Sequence, residues 1–409
     1  MKRESRCCLA TVFLLFLIIC ASVLIYILLA NKLHNTYKLQ QVLILSRHNA
    51  RSPTSEVLAK ISPHSWPKYE EIPGHLTKKG FLLEGFMGNY FSAWMVQENL
   101  IKYGCPSQED YFVYANSVER TLSSARAFLE KGYPNCNISI HHTDQPDPVF
   151  SPYIHNSSSI FKEVALKEMN RMLNELNLNA SYLKMQDILN YEQSEFCKVE
   201  RNCHLTTDSN EVGIAAGKKP ILSGPLKISN EAVDAFLMAY YNGFPEDDIG
   251  WGKLKTLEDW DSILKLANGY HDVVFNTTHV ATDLAMPLLK YMRDIFLNKD
   301  YKAILLMGHD ANIHVLLKLI SIKPFGLLNS YVSTPIGGKI VFQKWLSVES
   351  NKYYLKINYI YQSTKQLREG ISLSIDNPPL SKLLELNNCA TNADGYCPWD
   401  KFMKFLKTF

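Results

Sequence analysis

The chain has 409 residues, with 43 Lys and Arg against 40 Asp and Glu, so its formal net charge is only +3. That length suits one large domain or two moderate ones. The small net charge gives no support to nucleic-acid binding, and we expect no nucleic-acid partner.

An apolar stretch opens the chain, because no charged residue lies between positions 7 and 30. The stretch is long enough to span a bilayer, and the basic residues before it favour an amino terminus that stays in the cytoplasm. We therefore predict a cytoplasmic tail over residues 1–8 and an uncleaved transmembrane signal anchor over 9–30. A cleaved signal peptide is the alternative, although the segment ends in a poor cleavage site.

The first predicted strand covers residues 42–46, a continuous apolar run that is partly β-branched. It delivers Arg47, His48 and Arg51 at its carboxyl end, which is where open α/β sheets bind ligands. Two guanidiniums that flank an imidazole suit one task above others, which is to hold a phosphate while a ring nitrogen attacks phosphorus. An inert surface cluster is the alternative for this segment alone.

A helix is predicted next, from an N-cap at Thr77 to about residue 103. The apolar residues 111–115 predict a second buried strand, and Arg120 lies just beyond it at the start of a helix over 117–131. Strands that alternate with helices predict an α/β fold with a parallel or mixed sheet.

Helical periodicity then dominates and strand patterns become scarce, which predicts a helical cap inserted over residues 150–290. Strand patterns return at residues 303–307, 339–346 and 353–361, and the last two are expected to pair as an antiparallel edge. We predict a mixed central sheet flanked by helices, built from residues 31–149 and 291–409, with the cap between them. A single transmembrane helix would precede this domain.

The pair His309-Asp310 directly follows the strand at 303–307, so a third strand end carries a titratable pair. Each of the three strand ends thus carries a candidate phosphate ligand or an acid, which predicts that the three ends form a single pocket. His48 is then the candidate nucleophile that forms a phosphohistidine, and Arg120 and His309 join Arg47 and Arg51 in neutralising the phosphoryl oxygens.

Asp310 is the remaining candidate of this predicted pocket. In its protonated form it would give a proton to the leaving alcohol and then take one from water, which predicts an acidic rate optimum. The partner would be a small phosphate monoester. No metal and no cofactor is required, and no cluster of His, Asp and Glu in the sequence offers convincing metal ligands.

Six cysteines follow the apolar stretch as three neighbouring couples, which predicts three short-range disulfides in an oxidising compartment. The couples are Cys105 with Cys136, Cys197 with Cys203, and Cys389 with Cys397. Four sequons would be glycosylation sites if the source is eukaryotic, at Asn137, Asn156, Asn179 and Asn276. We expect the folded domain to lie outside the cytosol, in the periplasm of a bacterium or in the lumen or outside of a eukaryotic cell. It would be soluble there if the amino-terminal segment is cleaved.

The Arg-His-x-x-Arg-x-Pro segment at residues 47–53, with the His-Asp pair at 309–310, resembles the pattern of the histidine acid phosphatases. The resemblance runs from about residue 41 to the carboxyl terminus. It implies an α/β domain with a helical cap, phosphorylation of His48 and proton donation by Asp310. The family's phosphate-binding positions are matched by Arg47, Arg51, Arg120 and His309, and its bridges between neighbouring cysteines match the three couples.

Two positions refine the resemblance. Asn49 stands where most members of the family have glycine, and this substitution resembles the periplasmic glucose-1-phosphatase and phytase branch. Lys218 and Lys219 stand where the glucose-1-phosphatase group carries an acidic residue. Lysines at the mouth of the site would attract polyphosphates, so we hypothesise activity on inositol polyphosphates as well as on sugar phosphates; a solvated surface turn is the alternative.

The function predicted from these residues is acid hydrolysis of phosphate monoesters. One alternative is a phosphotransferase resembling phosphoglycerate mutase, against which the apolar stretch and the cysteines argue. The other is a catalytically inactive surface protein that uses the same fold for binding. Oligomeric state and physiological substrate have no signal in the sequence. Histidines without a visible partner are treated as structural, namely His64, His155, His204, His271, His279 and His314.

Overall fold

The computed structural model describes residues 37–409 except 201, 202, 208 and 299, together with residues 15, 17–19, 21 and 22. The predicted tail (1–8) lies outside the described residues, and so does most of the predicted anchor (9–30). Among the described helices, none is both long and apolar enough to cross a bilayer.

The order of the elements alternates strands and helices at both ends of the chain and is mainly helical in between. The strands are β1 (Tyr37–Arg47), β2 (Tyr111–Ala115), β3 (Ile140–His141), β4 (Glu211–Gly213), β5 (Ile221–Ser223), β6 (Ala303–Gly308), β7 (Lys339–Ser347), β8 (Tyr353–Tyr361), β9 (Leu380–Leu384) and β10 (Cys397–Pro398). The helices are α1 (Leu58–Ile61), α2 (Lys78–Gln97), α3 (Glu119–Gly132), α4 (Ser159–Glu175), α5 (Asn179–Leu189), α6 (Glu195–Glu200), α7 (Pro225–Asn242), α8 (Leu257–Phe275), α9 (Thr278–Asn298), α10 (Asp310–Leu319), α11 (Thr364–Glu369) and α12 (Trp399–Leu406). Short 3₁₀ helices cover Tyr191–Gln193 and Glu246–Gly252.

The central sheet is mixed, as the sequence predicts. Its strands lie in the order β10-β8-β7-β1-β6-β2-β3, and β9 pairs with β8. Strand β6 runs parallel to both β1 and β2, whereas β7 is antiparallel to β1. Because β1, β6 and β2 are parallel neighbours, their carboxyl ends meet at one edge of the sheet.

The central residues 42–45 of β1 are all apolar because both faces of the sheet are covered there, and the strand extends beyond the predicted 42–46 to Tyr37 and Arg47. Leu43 and Leu45 belong to the hydrophobic cluster on one face, and Val42 and Ile44 to the cluster on the other. All four are fully buried. The predicted capping of α2 is confirmed, because the Thr77 side chain accepts a hydrogen bond from the backbone N–H of Gly80.

Strands β7 and β8 pair antiparallel as predicted, but they do not form the edge of the sheet. Strands β9 and β10 both pair with β8 and extend that side. These two strands were not predicted, because β10 has only two residues and Ser381 and Lys382 interrupt the apolar run of β9. Their pairing is decided by the partner strand.

The predicted cap segment contains α4 to α8, the hairpin of β4 and β5, and the first half of α9. Helix α9 continues to Asn298, so the predicted boundary at residue 290 falls inside a helix. The domain limits at 31–149, 150–290 and 291–409 remain a prediction. The structure joins the three cysteine couples as disulfides, which are Cys105–Cys136, Cys197–Cys203 and Cys389–Cys397.

Candidate active site

The three strand ends singled out in the sequence meet at one place in the structure. Arg47, the last residue of β1, lies opposite Gly308 of β6, and Ala115 of β2 lies opposite Met307. The backbone N–H of His48 continues the ladder by donating to the Gly308 carbonyl at 3.0 Å. The parallel register therefore brings the side chains that follow β1, β2 and β6 together.

His48 is buried, with its two ring nitrogens in different environments. Nδ1 lies 2.9 Å from the Asn49 carbonyl oxygen, and Arg120 Nε donates to Nε2 at 3.1 Å. A carbonyl oxygen only accepts, so the hydrogen is assigned to Nδ1 and the lone pair to Nε2. Burial lowers the pKa of His48 well below its usual value, and the charge of Arg120 lowers it further. The ring is thus neutral, and the lone pair of Nε2 becomes available as a nucleophile when Arg120 turns its hydrogen bond to a phosphoryl oxygen.

Asp310 is the first residue of α10, so its carboxylate lies at a helix amino terminus, where negative charge is favoured. One carboxylate oxygen accepts from the Ala311 N–H at 2.8 Å, and the other lies 3.1 Å from a terminal nitrogen of Arg47. Burial acts to raise the pKa of Asp310, but Arg47 and the nearby histidines outweigh burial, so this pKa lies well below its usual value. The free protein therefore holds Asp310 ionised.

Two further arginines flank His48. Arg51 forms an ion pair with Asp234 of α7, with a terminal nitrogen 3.1 Å from each carboxylate oxygen. Arg120 contacts both His48 and His309, and burial together with the neighbouring charge of Arg51 lowers the pKa of Arg120 to about 10. The guanidinium stays charged at any acidic or neutral pH, so the site keeps a permanent positive field.

His309 is the second imidazole of the site. Its Nδ1 lies 3.4 Å from a terminal nitrogen of Arg120, and its Nε2 lies 3.3 Å from the side-chain oxygen of Asn116. Burial lowers the pKa of His309 to about 3, and the Arg120 charge contributes to this shift. A neutral His309 then donates from Nε2 and accepts at Nδ1. Asn116 was not predicted as a site residue, although it directly follows β2.

A cavity of about 240 Å³ lies beside these side chains. Arg47, Arg51 and Asp310 line it, and Asp234 and Lys219 also belong to its wall. Lys219 lies near Arg120 and Asp310, and its pKa is lowered by partial burial and by Arg120. Lys219 and its neighbour Lys218 are both exposed, and of the two only Lys219 lines the cavity. The two lysines predicted to affect specificity thus have different positions.

Two histidines that were interpreted as structural lie beside the site. His271 lines the cavity and stacks on His314, with ring centroids 4.9 Å apart. His314 is also paired with the Thr334 hydroxyl at 3.1 Å, and the Thr334 carbonyl accepts from Arg47. Burial lowers the pKa of His314 to about 3. Both rings therefore lie close to Arg47 and Asp310. The sequence interpretation missed this proximity to the site.

The four predicted sequons differ in accessibility. Asn137, Asn156 and Asn179 are exposed. Asn276 is half-buried, and its side-chain N–H₂ donates to Asp272 at 2.6 Å. Glycosylation needs a free amide at the surface, so Asn276 is the least suited of the four.

Comparisons with known proteins agree on one family. The histidine phosphatase superfamily (branch 2) matches residues 38–360. The glucose-1-phosphatase of Providencia rettgeri is 40% identical over 379 residues, which cover 90% of this chain and 91% of that protein. The structure of the phytase from Citrobacter braakii has a TM-score of 0.83 at 26% identity and covers 91% of this chain and 98% of that one. Hafnia alvei phytase in complex with myo-inositol hexakis sulphate has a TM-score of 0.81 at 26% identity, over 91% of this chain and 97% of that one.

Proposed function

The chain belongs to the histidine phosphatase superfamily, branch 2, and we propose that this acid phosphatase hydrolyses phosphate monoesters through a phosphohistidine on His48. Glucose 1-phosphate and inositol polyphosphates are the proposed substrates. The observation that carries the proposal is the position of His48 Nε2, which accepts a hydrogen bond from Arg120, while the ring interacts electrostatically with both members of the Arg47–Asp310 ion pair.

The first step forms a bond between His48 Nε2 and phosphorus and breaks the bond from phosphorus to the ester oxygen. Arg47, Arg51 and Arg120 hold the phosphoryl oxygens, and His309 joins them when its Nε2–H turns from Asn116 to a phosphoryl oxygen. Charge spreads over these oxygens in the transition state, so fixed cationic donors stabilise that state more than they stabilise the bound ester. The leaving oxygen takes the proton of Asp310 and departs as an alcohol.

The second step returns the site to its starting state. Water attacks phosphorus, Asp310 accepts the proton that the water loses, and the bond to Nε2 breaks to release inorganic phosphate. The same carboxyl group is the acid in one step and the base in the next, as reversible proton transfer requires.

An acidic rate optimum follows from the two pKa directions. The pKa of His48 is lowered, so the ring stays neutral and nucleophilic in acid. In the free protein Arg47 counters the effect of burial and holds the pKa of Asp310 low. A bound phosphate dianion neutralises the arginines and raises that pKa again. Turnover therefore falls as the pH rises and the complex loses the proton of Asp310.

Hydrolysis of p-nitrophenyl phosphate at acidic pH tests the proposal. We expect a burst of nitrophenol close to one equivalent of protein, followed by steady turnover, because nitrophenol is a good leaving group and the phosphohistidine then forms faster than it is hydrolysed. The burst is measured by rapid quench. The matched control is bis(p-nitrophenyl) phosphate, a diester that lacks the third free oxygen. Absence of monoester turnover would contradict the proposal and favour the inactive binding protein.

We propose that the cavity admits polyphosphates because cations line part of its wall. Lys219 belongs to that wall, and so does Lys227, which pairs with Glu231. The phytase structures named above are relatives in fold at 26% identity, and one of them holds a sulphated inositol. A cation beside the mouth attracts additional phosphate groups that a sugar monophosphate lacks.

The variant Lys219→Glu is expected to lower kcat/KM for inositol hexakisphosphate about three- to tenfold relative to glucose 1-phosphate, as one exposed charge pair is worth roughly 1 kcal/mol. The matched control is Lys218→Glu, because it makes the same charge change one residue away from the cavity wall. Both ratios are measured at one ionic strength. An unchanged ratio in Lys219→Glu, or equal shifts in both variants, would show that Lys219 does not select polyphosphates.

We also propose that the catalytic domain lies outside the cytosol. Three disulfides join neighbouring cysteines, and disulfides persist in oxidising compartments. The signal anchor is supported only by the apolar composition of residues 9–30. Phosphate monoester substrates would then be met in the periplasm or in an equivalent lumen.

A further inference from the structure

We propose that Asn49, Glu84, Lys339 and Ser46 form a buried support that orients the nucleophilic histidine. This inference rests on the proposed function and deepens it, because it assigns positioning residues that touch neither the phosphate nor the reacting atoms. The four residues are called the Asn49 support below. All of them are buried, and the side chains of Glu84 and Lys339 have no exposed surface.

The support begins with an ion pair behind the site. Lys339 Nζ lies 2.6 Å from one carboxylate oxygen of Glu84 and donates to the Ser46 hydroxyl at 2.7 Å. Lys339 is the first residue of β7 and lies directly opposite Ser46 of β1. Glu84 reaches the pair from α2. Three elements of the fold therefore meet at one charged contact under the end of β1.

The second carboxylate oxygen of Glu84 points to the active site. It accepts a hydrogen bond from Asn49 Nδ2 at 3.0 Å, while Asn49 Oδ1 accepts from the Ala50 N–H at 2.9 Å. The Asn49 N–H donates to the Ser124 hydroxyl at 3.1 Å. The side chain and the backbone of Asn49 are thus both fixed, which leaves its carbonyl oxygen in one position.

That carbonyl oxygen is the partner of His48 Nδ1 at 2.9 Å. The bond determines which ring nitrogen carries the hydrogen and turns Nε2 towards Arg120. A one-ångström error in the position of a nucleophile has a large cost in rate. The route from Lys339 through Glu84 and Asn49 therefore ends at the atom that attacks phosphorus.

Two glycines pack closely against Asn49 and Ala50. A Cβ atom on Gly337 would collide with Asn49 Nδ2, and a Cβ atom on Gly80 would collide with the Ala50 carbonyl oxygen. Both positions therefore need a residue without a side chain. Gly337 has a φ of +63°, a backbone conformation that glycine adopts readily.

A contribution to the stability of the fold does not by itself explain the buried ion pair of Glu84 and Lys339. Removing two charges from water costs several kcal/mol, and apolar replacements of buried ion pairs are often neutral or stabilising. Geometric fixation gives the Asn49 support a different use. A carboxylate with two occupied oxygens holds the asparagine amide in one orientation, which an apolar side chain cannot do.

The test compares Asn49→Leu and Asn49→Asp with the wild type. Asn49→Leu has a similar volume without the amide, and we expect its burst rate constant with p-nitrophenyl phosphate to fall about 10- to 100-fold. The inhibition constant of inorganic phosphate should stay within threefold, because the arginines are untouched. A purely structural role would lower the melting temperature and leave the burst rate unchanged.

Asn49→Asp adds a pH readout that packing alone would not move. Two adjacent buried carboxyl groups retain a shared proton to higher pH than an isolated one. With the proton present, the introduced carboxyl group donates to Glu84 as the amide did, so the burst rate should approach that of the wild type in acid. As the pH rises the proton is lost, the two carboxylates repel, and the ratio of variant to wild type should fall.

Each result has one meaning. A wild-type protein without turnover defeats the proposed function itself. If the wild type is active, two results would contradict the Asn49 support and leave the phosphatase assignment unaffected. One is a burst rate constant of Asn49→Leu equal to that of the wild type. The other is a ratio of the Asn49→Asp burst rate constant to the wild-type value that does not change with pH. If Asn49→Leu does not fold, the pH dependence of Asn49→Asp decides alone.

Discussion

Replacing His48 with alanine is expected to lower kcat on p-nitrophenyl phosphate by about 10⁵- to 10⁶-fold, similar to the loss of the covalent nucleophile in a serine protease. The reason is that Nε2 of His48 is the atom that attacks phosphorus, and water has to replace it at a position that the site does not prepare. The burst of nitrophenol at acidic pH should disappear together with steady turnover. Rapid quench at acidic pH measures both quantities.

The same variant should still bind inorganic phosphate. Arg47, Arg51, Arg120 and His309 remain, so the affinity measured by titration calorimetry should change only a few-fold. The matched control is His204→Ala, which removes an exposed histidine that does not line the cavity. Wild-type turnover in His48→Ala would exclude His48 as the nucleophile, and loss of activity in His204→Ala would show that the effect is not specific.

The elements that carry these residues were predictable because they are buried on both faces. Strands β2 and β6 and residues 42–45 of β1 are short apolar runs, and each is followed by polar side chains. Parallel pairing then places the strand ends together without any knowledge of the rest of the chain. The comparisons confirm the predicted family and the phosphatase function. The roles of His48 and Asp310 remain predictions.

The contacts that complete the site could not be predicted. Asp234 lies inside a helix and is 183 positions from Arg51, so only the tertiary arrangement that brings α7 next to Arg51 makes them partners. Glu84 and Lys339 are 255 positions apart and carry charges that usually face water. Each of the two charges can be buried only because the other pairs with it. The residue pattern within one segment does not reveal such a long-range pair.

Asp310→Asn is expected to separate the two steps of the reaction. Asparagine has nearly the same shape and still occupies the amino terminus of α10, but it cannot give or take a proton. Glycerol phosphate has a poor leaving group that needs the proton, so its hydrolysis should fall about 10²- to 10⁴-fold. Nitrophenol leaves as an anion, so the burst with p-nitrophenyl phosphate should keep a rate constant close to that of the wild type.

The second step should nevertheless slow with either substrate, because no group remains to take the proton from water. We expect the phosphohistidine to accumulate after the burst, where acid-sensitive and base-stable labelling detects it. The fall in activity with rising pH that depends on the Asp310 proton should also vanish from the residual hydrolysis of glycerol phosphate. The matched control is Asp272→Asn, since Asp272 is an acid on the neighbouring helix α8 that does not line the active-site cavity.

The outcome for the two leaving groups decides the role of Asp310. An equal loss of the first step with glycerol phosphate and p-nitrophenyl phosphate would mean that Asp310 acts only by holding Arg47, to which it is paired at 3.1 Å. Tighter binding of inorganic phosphate in Asp310→Asn is expected in either case, because the variant releases Arg47 from its carboxylate. Proton donation by Asp310 is therefore established only if Asp310→Asn slows the first step with glycerol phosphate and leaves the first step with p-nitrophenyl phosphate unchanged.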